Sequence, residues 1–222
     1  MKKIEEFFNE EASKHDDIFV KKMGMTEFYD EVEHQIEKCI RKSNILVLGC
    51  GTGLEIERIK NEAKVTAIDI SEEMLAELRK KQLHKDLILK TICGSLLELD
   101  FGIQTYDLVL SCYAMHHFNE EQKISIYLKI YSCLINGGTF INGDLIEKSY
   151  EDEQIRLKDA EQVYSESNLP FASLHIDVPF CIEHEMEVLR KAGFNKILLE
   201  KEWSNTKLYC ATKNTDNAFN FI

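Results

Sequence analysis

The chain has 222 residues, of which 44% are hydrophobic and 30% are charged, and its formal net charge is −12. This length and composition fit one domain with a sizeable core, and they exclude collagen-like, mucin-like and wholly disordered chains. The negative charge provides no general attraction to phosphate backbones or anionic lipids, which argues against a dedicated nucleic-acid binder and makes a metabolite the favoured partner.

The first forty residues are predicted to be helical. An acidic amphipathic stretch contains Phe7 and Phe8, and a second helix is predicted over residues 26–41. Apolar residues recur in that second helix at four-residue spacing, so they share one face. These residues are Phe28, Val32, Ile36 and Ile40. We expect this segment to form a helical cap at the N-terminus.

From residue 44 onward, apolar runs that suit buried strands alternate with helical stretches. Strands are predicted at 45–48, 64–70, 87–93, 106–112, 139–144, 197–202 and 207–212. Four helices are predicted, at 54–61, from the N-cap Ser71 to about residue 81, at 120–134 and at 182–192. The turn Asn136-Gly137-Gly138 is expected to stop the helix at 120–134. The alternation predicts an α/β fold with a doubly wound, mainly parallel sheet of about seven strands, whose last strand pair is antiparallel.

Neither the seven cysteines nor the apolar runs indicate a secreted or membrane protein. The cysteines are scattered, odd in number and without a CxxC pair, which argues against a disulfide framework or a structural zinc site. The acidic N-terminal stretch has no apolar core of a signal peptide, and no apolar run approaches the roughly 20 residues that span a bilayer. We therefore expect a cytoplasmic location.

The sharpest local signal is the glycine-rich turn after the first predicted strand, where Gly49, Cys50, Gly51 and Gly53 form the pattern G-C-G-T-G. Glycine lets the backbone turn tightly and approach a ligand closely. Asp69 ends the second predicted strand, 20 residues after the first glycine. A carboxylate at that position can accept hydrogen bonds from a ribose diol. The glycine spacing differs from the G-x-G-x-x-G of dinucleotide-binding proteins.

This order of motifs resembles the class I S-adenosylmethionine-dependent methyltransferases. Further segments similar to that family lie at 92–95, 106–111, 115–118 and 134–140. The resemblance is close over residues 44–144. It implies a Rossmann-like fold, S-adenosyl-L-methionine as cofactor, and transfer of its methyl group to a small-molecule acceptor by in-line displacement.

The resemblance also implies roles for individual residues. The glycine turn would contact the methionine moiety and the sugar of the cofactor, and Asp69 would bind the ribose hydroxyls. Ile70 would pack on one face of the adenine. The backbone around Ser111 and Cys112 would hold the amino end of the cofactor.

The adenine would be bracketed by Gly94, Ser95 and Leu96, in the loop after the third strand. The family often has an aspartate at the position of Ser95, where it accepts a hydrogen bond from the adenine amino group. A serine hydroxyl accepts that bond more weakly, so we expect the cofactor still to bind.

His116 is the first candidate for a general base, and His175 is the second, because a neutral imidazole suits proton abstraction near pH 7. Adjacent residues do not share a helix face, so His116 and His117 are not expected to face one site. No acidic cluster with ligand-like spacing follows the fourth or fifth strand. The sequence therefore predicts no metal.

We predict one domain with four regions: a helical cap (1–43), a cofactor-binding core (44–144), a substrate-covering insertion (145–181) and a C-terminal helix and β-hairpin (182–222). Glu151, Asp152 and Glu153 are expected to form a solvated helix start. The sequence does not indicate the oligomeric state.

Three other functions remain open at this point. A NAD(P)-dependent Rossmann oxidoreductase also combines a glycine turn with an acidic residue, and a non-catalytic S-adenosylmethionine-binding protein would share the same motifs. A third alternative is transfer from a carboxylated sulfonium cofactor. That cofactor would need an arginine nearby, and Arg156 is the only arginine of the predicted insertion.

Overall fold

A computed structural model of the chain describes residues 2–39, 43–167 and 174–214. The α-helices are α1 (Ile4–Glu11), α2 (Thr26–Lys38), α3 (Glu72–Lys80), α4 (Glu120–Cys133), α5 (Tyr150–Ser165) and α6 (Ile182–Lys191). The strands are β1 (Asn44–Leu48), β2 (Ala63–Asp69), β3 (Leu87–Cys93), β4 (Tyr106–Cys112), β5 (Leu134–Leu145), β6 (Lys196–Glu202) and β7 (Thr206–Thr212). All seven predicted strands are present in the predicted order, but within the described residues no α-helix separates β1 from β2 or β3 from β4.

The strands form one seven-stranded sheet in the order β3-β2-β1-β4-β5-β7-β6. β7 runs antiparallel to both β5 and β6, and the other neighbouring pairs are parallel. The chain moves outward to one side from β1 and to the other side from β4, so the order reverses between these two strands. The predicted doubly wound fold with an antiparallel last pair is confirmed, and the reversal opens a crevice at the carboxyl ends of the strands.

Each face of the sheet buries its own hydrophobic core, because the central strands are apolar on both sides. In β1, Ile45 and Val47 point toward the core that also contains residues of α2 and α3. Leu46 and Leu48 point toward the opposite core, which contains residues of α4 and α6. This alternation explains why β1 is a continuous apolar run rather than a strand with one polar face.

Two of the predicted boundaries were wrong. Residues 54–61 do not form an α-helix, and within them only Ile56–Arg58 form a single 3₁₀ turn. Ile59 is already extended, so that Ile56 and Ile59 both enter the core before β2 begins.

The segment 136–138 does not stop a helix, because β5 begins directly after α4 and residues 135–138 bulge from it. Backbone hydrogen bonds of Gly137 and Gly138 with Lys213 hold that bulge.

The N-terminal region is helical, as predicted, but it is divided into short pieces. Between α1 and α2 lie a 3₁₀ turn (Ala12–Lys14) and a π-helical stretch (Asp17–Lys22). α2 packs on the sheet through Phe28, whose ring would lie only 2.4 Å from a Cβ atom at Gly143. Residues 40–42, with the predicted end of the second helix and Ile40, lie outside the described residues.

The region after β5 contains the sixteen-residue helix α5, followed by residues 174–181, which lead to α6. The expectation that Glu153 is solvated was wrong, because its side chain is buried against α6. Its carboxylate accepts a hydrogen bond from the backbone N–H of Cys181 at 2.7 Å and lies 2.6 Å from Nδ1 of His184. The four predicted regions remain a prediction. Among the described residues, no helix has both the length and the apolar character needed to cross a bilayer.

Candidate active site

A cavity of about 290 Å³ lies where the parallel strands end, at the reversal of the strand order. It is lined by most of the residues that the sequence singled out: Gly49, Cys50, Gly51, Asp69, Ile70, Gly94, Ser95, Leu96, Cys112, His116 and His175. Gly53 and Ser111 do not line it. Gly53 packs against Leu78 of α3, and Ser111 is fully buried in β4.

The glycine turn is shaped for a close approach of backbone and ligand. Gly49 has φ +61°, and a Cβ atom there would lie 2.4 Å from the Cβ of Ala114. Gly51 has φ +48°, and a Cβ atom there would meet no atom closer than 3.7 Å. Both positions favour glycine for their backbone conformation. Gly51 differs in that its missing side chain leaves open space inside the cavity.

Asp69 is held rigidly at the end of β2 by two backbone donors. The N–H of Gly51 donates to Oδ2 at 2.7 Å, and the N–H of Ser71 donates to Oδ1 at 2.8 Å. Burial raises the pKa of Asp69, and these hydrogen bonds partly oppose that effect. Each carboxylate oxygen retains an acceptor position, so the carboxylate can receive the two hydroxyls of a ribose.

The loop after β3 forms the next part of the cavity wall. The N–H of Gly94 donates to the carbonyl oxygen of Asp69 at 2.9 Å. The ammonium group of Lys129 donates to three carbonyl oxygens of this loop, including that of Leu96 at 3.1 Å. The hydroxyl of Ser95 accepts the N–H of Leu97 at 3.2 Å, which leaves it one further acceptor position for an adenine amino group.

The opposite wall is formed by residues 2–25, which we call the N-terminal cover. Its cavity-lining residues are Ile4, Phe7, Phe8, His15, Phe19 and Met23. The cover is attached to the glycine turn and to α3. His15 Nδ1 lies 3.3 Å from Oγ1 of Thr52, and Asp16 forms an ion pair with Lys81 at 2.8 Å. Burial would raise the pKa of Asp16, but contacts with His15, Lys81 and Thr52 lower it below its usual range.

At the end of β4 and β5, His116 and Asp144 form a buried pair. Nδ1 of His116 lies 2.5 Å from Oδ1 of Asp144, and the backbone N–H of His116 donates to Oδ2 at 2.9 Å. Burial alone would lower the pKa of His116, but the carboxylate of Asp144 raises it above the ordinary value. Since Nδ1 is bound to Asp144, the other ring nitrogen, Nε2, is the one available to a ligand.

His117 and Asp177 complete this end of the cavity. Oδ1 of Asp177 lies 3.1 Å from Nδ1 of His117 and 3.6 Å from Nε2 of His116. Burial, together with neighbouring His116, lowers the pKa of His117 to about 4, so this imidazole is neutral near pH 7. Among the described residues, the set that could hold a metal ion is His116, His117 and Asp177.

The expectation that the adjacent histidines face apart was wrong. Met115–His117 form a single 3₁₀ turn instead of a longer helix, and the two rings lie 4.0 Å apart. His175 joins them: its ring stacks on Phe7 at 3.8 Å and lies 5.2 Å from the ring of His117. Both residues predicted as bases, His116 and His175, therefore line the same end of the cavity.

The sequence analysis missed three residues of the site. Asp144 is the next-to-last residue of β5, and its place beside the ends of the other strands was a usable signal. Glu55 is buried in the cavity wall, and its Oε1 has no hydrogen-bond partner. Tyr113 also lines the cavity and has φ +55°, a strained conformation of the kind that clusters at functional sites. Arg156 lies elsewhere, and its Nε donates to Glu147 at 3.0 Å.

Residues 45–138 match the family model described as a methyltransferase domain. The chain is 25% identical, over 96% of both proteins, to a carboxy-S-adenosyl-L-methionine synthase of Campylobacter fetus subsp. fetus (strain 82-40). It is 24% identical to 24-methylenesterol C-methyltransferase 3 of Arabidopsis thaliana, over 82% of this chain and 52% of that protein. A solved structure, the DhpI–SAH complex, shares the fold with a TM-score of 0.70, 16% identity and 95% coverage of each chain.

The fold, the glycine turn and the placement of Asp69 form a site of the kind that binds a nucleotide cofactor in α/β proteins. The matches show that the chain is similar to S-adenosylmethionine-dependent methyltransferases, and they support an enzyme that uses S-adenosylmethionine. The site residues fit this cofactor, because a buried acid with open acceptor positions and an open glycine cradle lie in one cavity.

Proposed function

We propose that the protein is a class I S-adenosylmethionine-dependent methyltransferase, and that its methyl acceptor is a small, mostly apolar molecule with one polar group that carries the nucleophile. Support comes from the two unlike halves of the cavity. Asp69 and the glycine turn line the cofactor half, and the aromatic side chains of Phe7 and Phe8 line the other half beside His175 and His117. The group of His116 and its neighbours is the polar part of that half. An acceptor of this kind would place its nucleophile against that group.

The sulfonium of the bound cofactor supplies an activated methyl group, so the main task of the protein is to position the acceptor in line with the S–CH₃ bond. Such positioning is worth roughly 7–11 kcal/mol in favourable cases. The N-terminal cover excludes water from the reacting atoms. His116 is our candidate for the catalytic residue, since its Nε2 is free to contact the acceptor. His175 is the second candidate and faces the same compartment.

We favour transfer of a methyl group over transfer from a carboxylated cofactor. The residue considered for binding a carboxylate, Arg156, pairs with Glu147 and does not line the cavity. No observation supports the nicotinamide-dependent or the non-catalytic alternative. We also propose a cytoplasmic location, supported by seven cysteines that are scattered through the chain without a CxxC pair, as suits a reducing compartment.

Calorimetric titration of the purified protein with S-adenosylmethionine and, separately, with NAD tests the cofactor site. We expect micromolar binding of the first ligand only. Replacing Asp69 by Ala removes two charge-assisted hydrogen bonds to the ribose, so affinity should fall at least about 100-fold. Asp107→Ala is the matched control, because Asp107 accepts backbone N–H groups of Ser43 and Asn44 but does not line the cavity.

The acceptor is tested by incubating the protein with labelled S-adenosylmethionine and a metabolite extract. We expect label in a small apolar product, and none with Asp69→Ala. Label found only in protein or RNA fractions would contradict the proposed acceptor class. Binding of NAD in place of S-adenosylmethionine would contradict the cofactor assignment itself.

A further inference from the structure

We propose that His116, His117 and Asp177 bind one divalent transition-metal cation, of which Zn²⁺ is the reference, at the acceptor end of the cavity. The three candidate ligand atoms lie within 4.8 Å of one another. Two edges of this triangle, from Oδ1 of Asp177 to Nδ1 of His117 and to Nε2 of His116, measure 3.1 and 3.6 Å. A tetrahedral cation with ligand distances of about 2.0–2.1 Å separates its ligand atoms by about 3.3 Å. The two edges bracket that value.

The ligand atoms are free to coordinate. Nδ1 of His117 and Oδ1 of Asp177 are buried atoms without a hydrogen-bond partner, because their 3.1 Å approach lacks hydrogen-bond geometry. The side chain of His117 is only 7% exposed. A buried nitrogen and a buried carboxylate oxygen that both lack a hydrogen-bond partner destabilise the folded state. A cation between them would satisfy both.

Asp144 supplies a second, independent observation. Histidines that bind metals in proteins almost always place their other ring nitrogen against a carboxylate or a carbonyl oxygen, which fixes the orientation of the ring. His116 shows that arrangement, with Nδ1 held by Asp144 and Nε2 directed toward Asp177. Two imidazoles and one carboxylate form a donor set that suits zinc and other transition metals.

Three protein ligands leave a tetrahedral cation one open position, which is typical of catalytic rather than structural sites. Since the ligands line the cavity, that position would face the acceptor. A cation there would lower the pKa of a bound hydroxyl or thiol, so that its proton would pass to solvent water. The resulting alkoxide or thiolate would form the new bond to the methyl carbon as the sulfonium S–CH₃ bond breaks, and the demethylated cofactor would be the leaving group. This catalytic role rests on the proposed function, whereas cation binding does not. The cation would use the same His116 nitrogen that a base would use, so a bound cation replaces the base.

Cobalt(II) titration of the metal-free protein, followed by visible absorption, tests the site. We expect one Co²⁺ per chain, displaced by Zn²⁺, without the thiolate-to-cobalt charge-transfer band that cysteine ligands would cause. Asp177→Asn and His117→Gln should each weaken binding at least about 100-fold, and Asp144→Asn about 10–100-fold. His175→Gln is the matched control, because this neighbouring imidazole is outside the ligand set and its variant should bind Co²⁺ normally.

Each variant is first checked for its thermal transition and for S-adenosylmethionine binding, so that misfolding is separated from ligand loss. Any of three results would overturn the proposed metal site. These are a failure to bind one Co²⁺ per chain, a thiolate-to-cobalt band, and equal Co²⁺ affinity of Asp177→Asn and the wild type. Methyl transfer at an unchanged rate after chelation would overturn its catalytic role and leave the proposed function intact. Failure of the wild type to bind S-adenosylmethionine would count against the proposed function alone.

Discussion

The hydroxyl of Ser71 donates a hydrogen bond of 2.6 Å to the side-chain oxygen of Asn9, and this bond joins α1 of the cover to the first turn of α3. Ser71 also caps α3 by accepting the N–H of Met74 at 3.1 Å, and its own N–H is bound to Asp69. One residue therefore connects the cover to the acid that is expected to hold the ribose.

We predict that Asn9→Ala releases the cofactor faster without impairing the fold. The loss of one neutral hydrogen bond is worth about 0.5–1.5 kcal/mol, which corresponds to a roughly 2–10-fold faster dissociation of S-adenosylmethionine. Stopped-flow displacement measures this rate. Glu10→Ala is the control, since Glu10 is on the same helix but is exposed and pairs only with Lys2. Equal rates for the two variants would show that the Asn9 contact does not restrain the cover.

Two substitutions in the glycine turn are expected to have different main effects, one on stability and one on cofactor binding. Gly49→Ala places a methyl group against Ala114, so it should destabilise the fold by about 1–3 kcal/mol beyond the cost of its positive φ. Gly51→Ala costs about 1–2 kcal/mol for its positive φ, but its methyl group occupies the cavity. Thermal denaturation should show the larger stability loss in Gly49→Ala. Calorimetric titration with S-adenosylmethionine, at a temperature where Gly51→Ala is folded, should show that this variant has lost cofactor binding.

Glu55 should make the stability of the protein fall as the pH rises. Burial raises the pKa of Glu55 from 4.5 to about 8. Between these values the unfolded chain loses the proton while the folded chain keeps it, so ionisation favours the unfolded state. The effect is at most about 4–5 kcal/mol, is absent below pH 4.5 and is complete above pH 8.

Glu55→Gln removes this titration. Its free energy of unfolding, measured by urea denaturation at several pH values between 5 and 8, should decline less with pH than that of the wild type. Glu62→Gln is the control, because Glu62 lies at an exposed position of the same connection. If the free energy of unfolding of the wild type depends on pH in the same way as that of Glu55→Gln, the raised pKa of Glu55 is contradicted.

A buried ion pair links α4 to α6, far from solvent. Nζ of Lys123 lies 2.6 Å from Oε2 of Glu185, and both side chains are almost fully buried. Tyr209 donates to the other carboxylate oxygen at 2.8 Å. Lys123→Met should destabilise the fold by about 3–5 kcal/mol, because it leaves the Glu185 charge uncompensated. Denaturation in guanidinium chloride measures this loss.

The double variant Lys123→Met with Glu185→Gln should recover most of the lost stability, since no buried charge remains and the amide oxygen still accepts the tyrosine hydroxyl. Lys191→Met provides a surface comparison. Lys191 pairs with Glu120 at 2.8 Å in an exposed position, so its loss should lower the free energy of unfolding far less than Lys123→Met does. A double variant as unstable as Lys123→Met would indicate that packing, rather than charge, dominates.

The strands were predictable because their signal is local. A short apolar run such as that of β1 needs no knowledge of its partners, and the glycine turn and Asp69 lie within the short stretch from β1 to the end of β2. The acceptor end of the cavity was harder to predict from the sequence. His116 and His117 meet Asp177 only because the chain returns to the strand ends after α5, and one 3₁₀ turn orients both rings. The turn at Ile56–Arg58 was misjudged because a short apolar pattern does not distinguish a 3₁₀ turn from an α-helix.

Residues of the N-terminal cover line the cavity on the cofactor side, through His15, and on the acceptor side, through Phe7 stacked on His175. One segment therefore covers both halves of the cavity. A single displacement of the cover would expose the cofactor site and the acceptor site together, so we expect the exchange of both molecules to depend on the same motion.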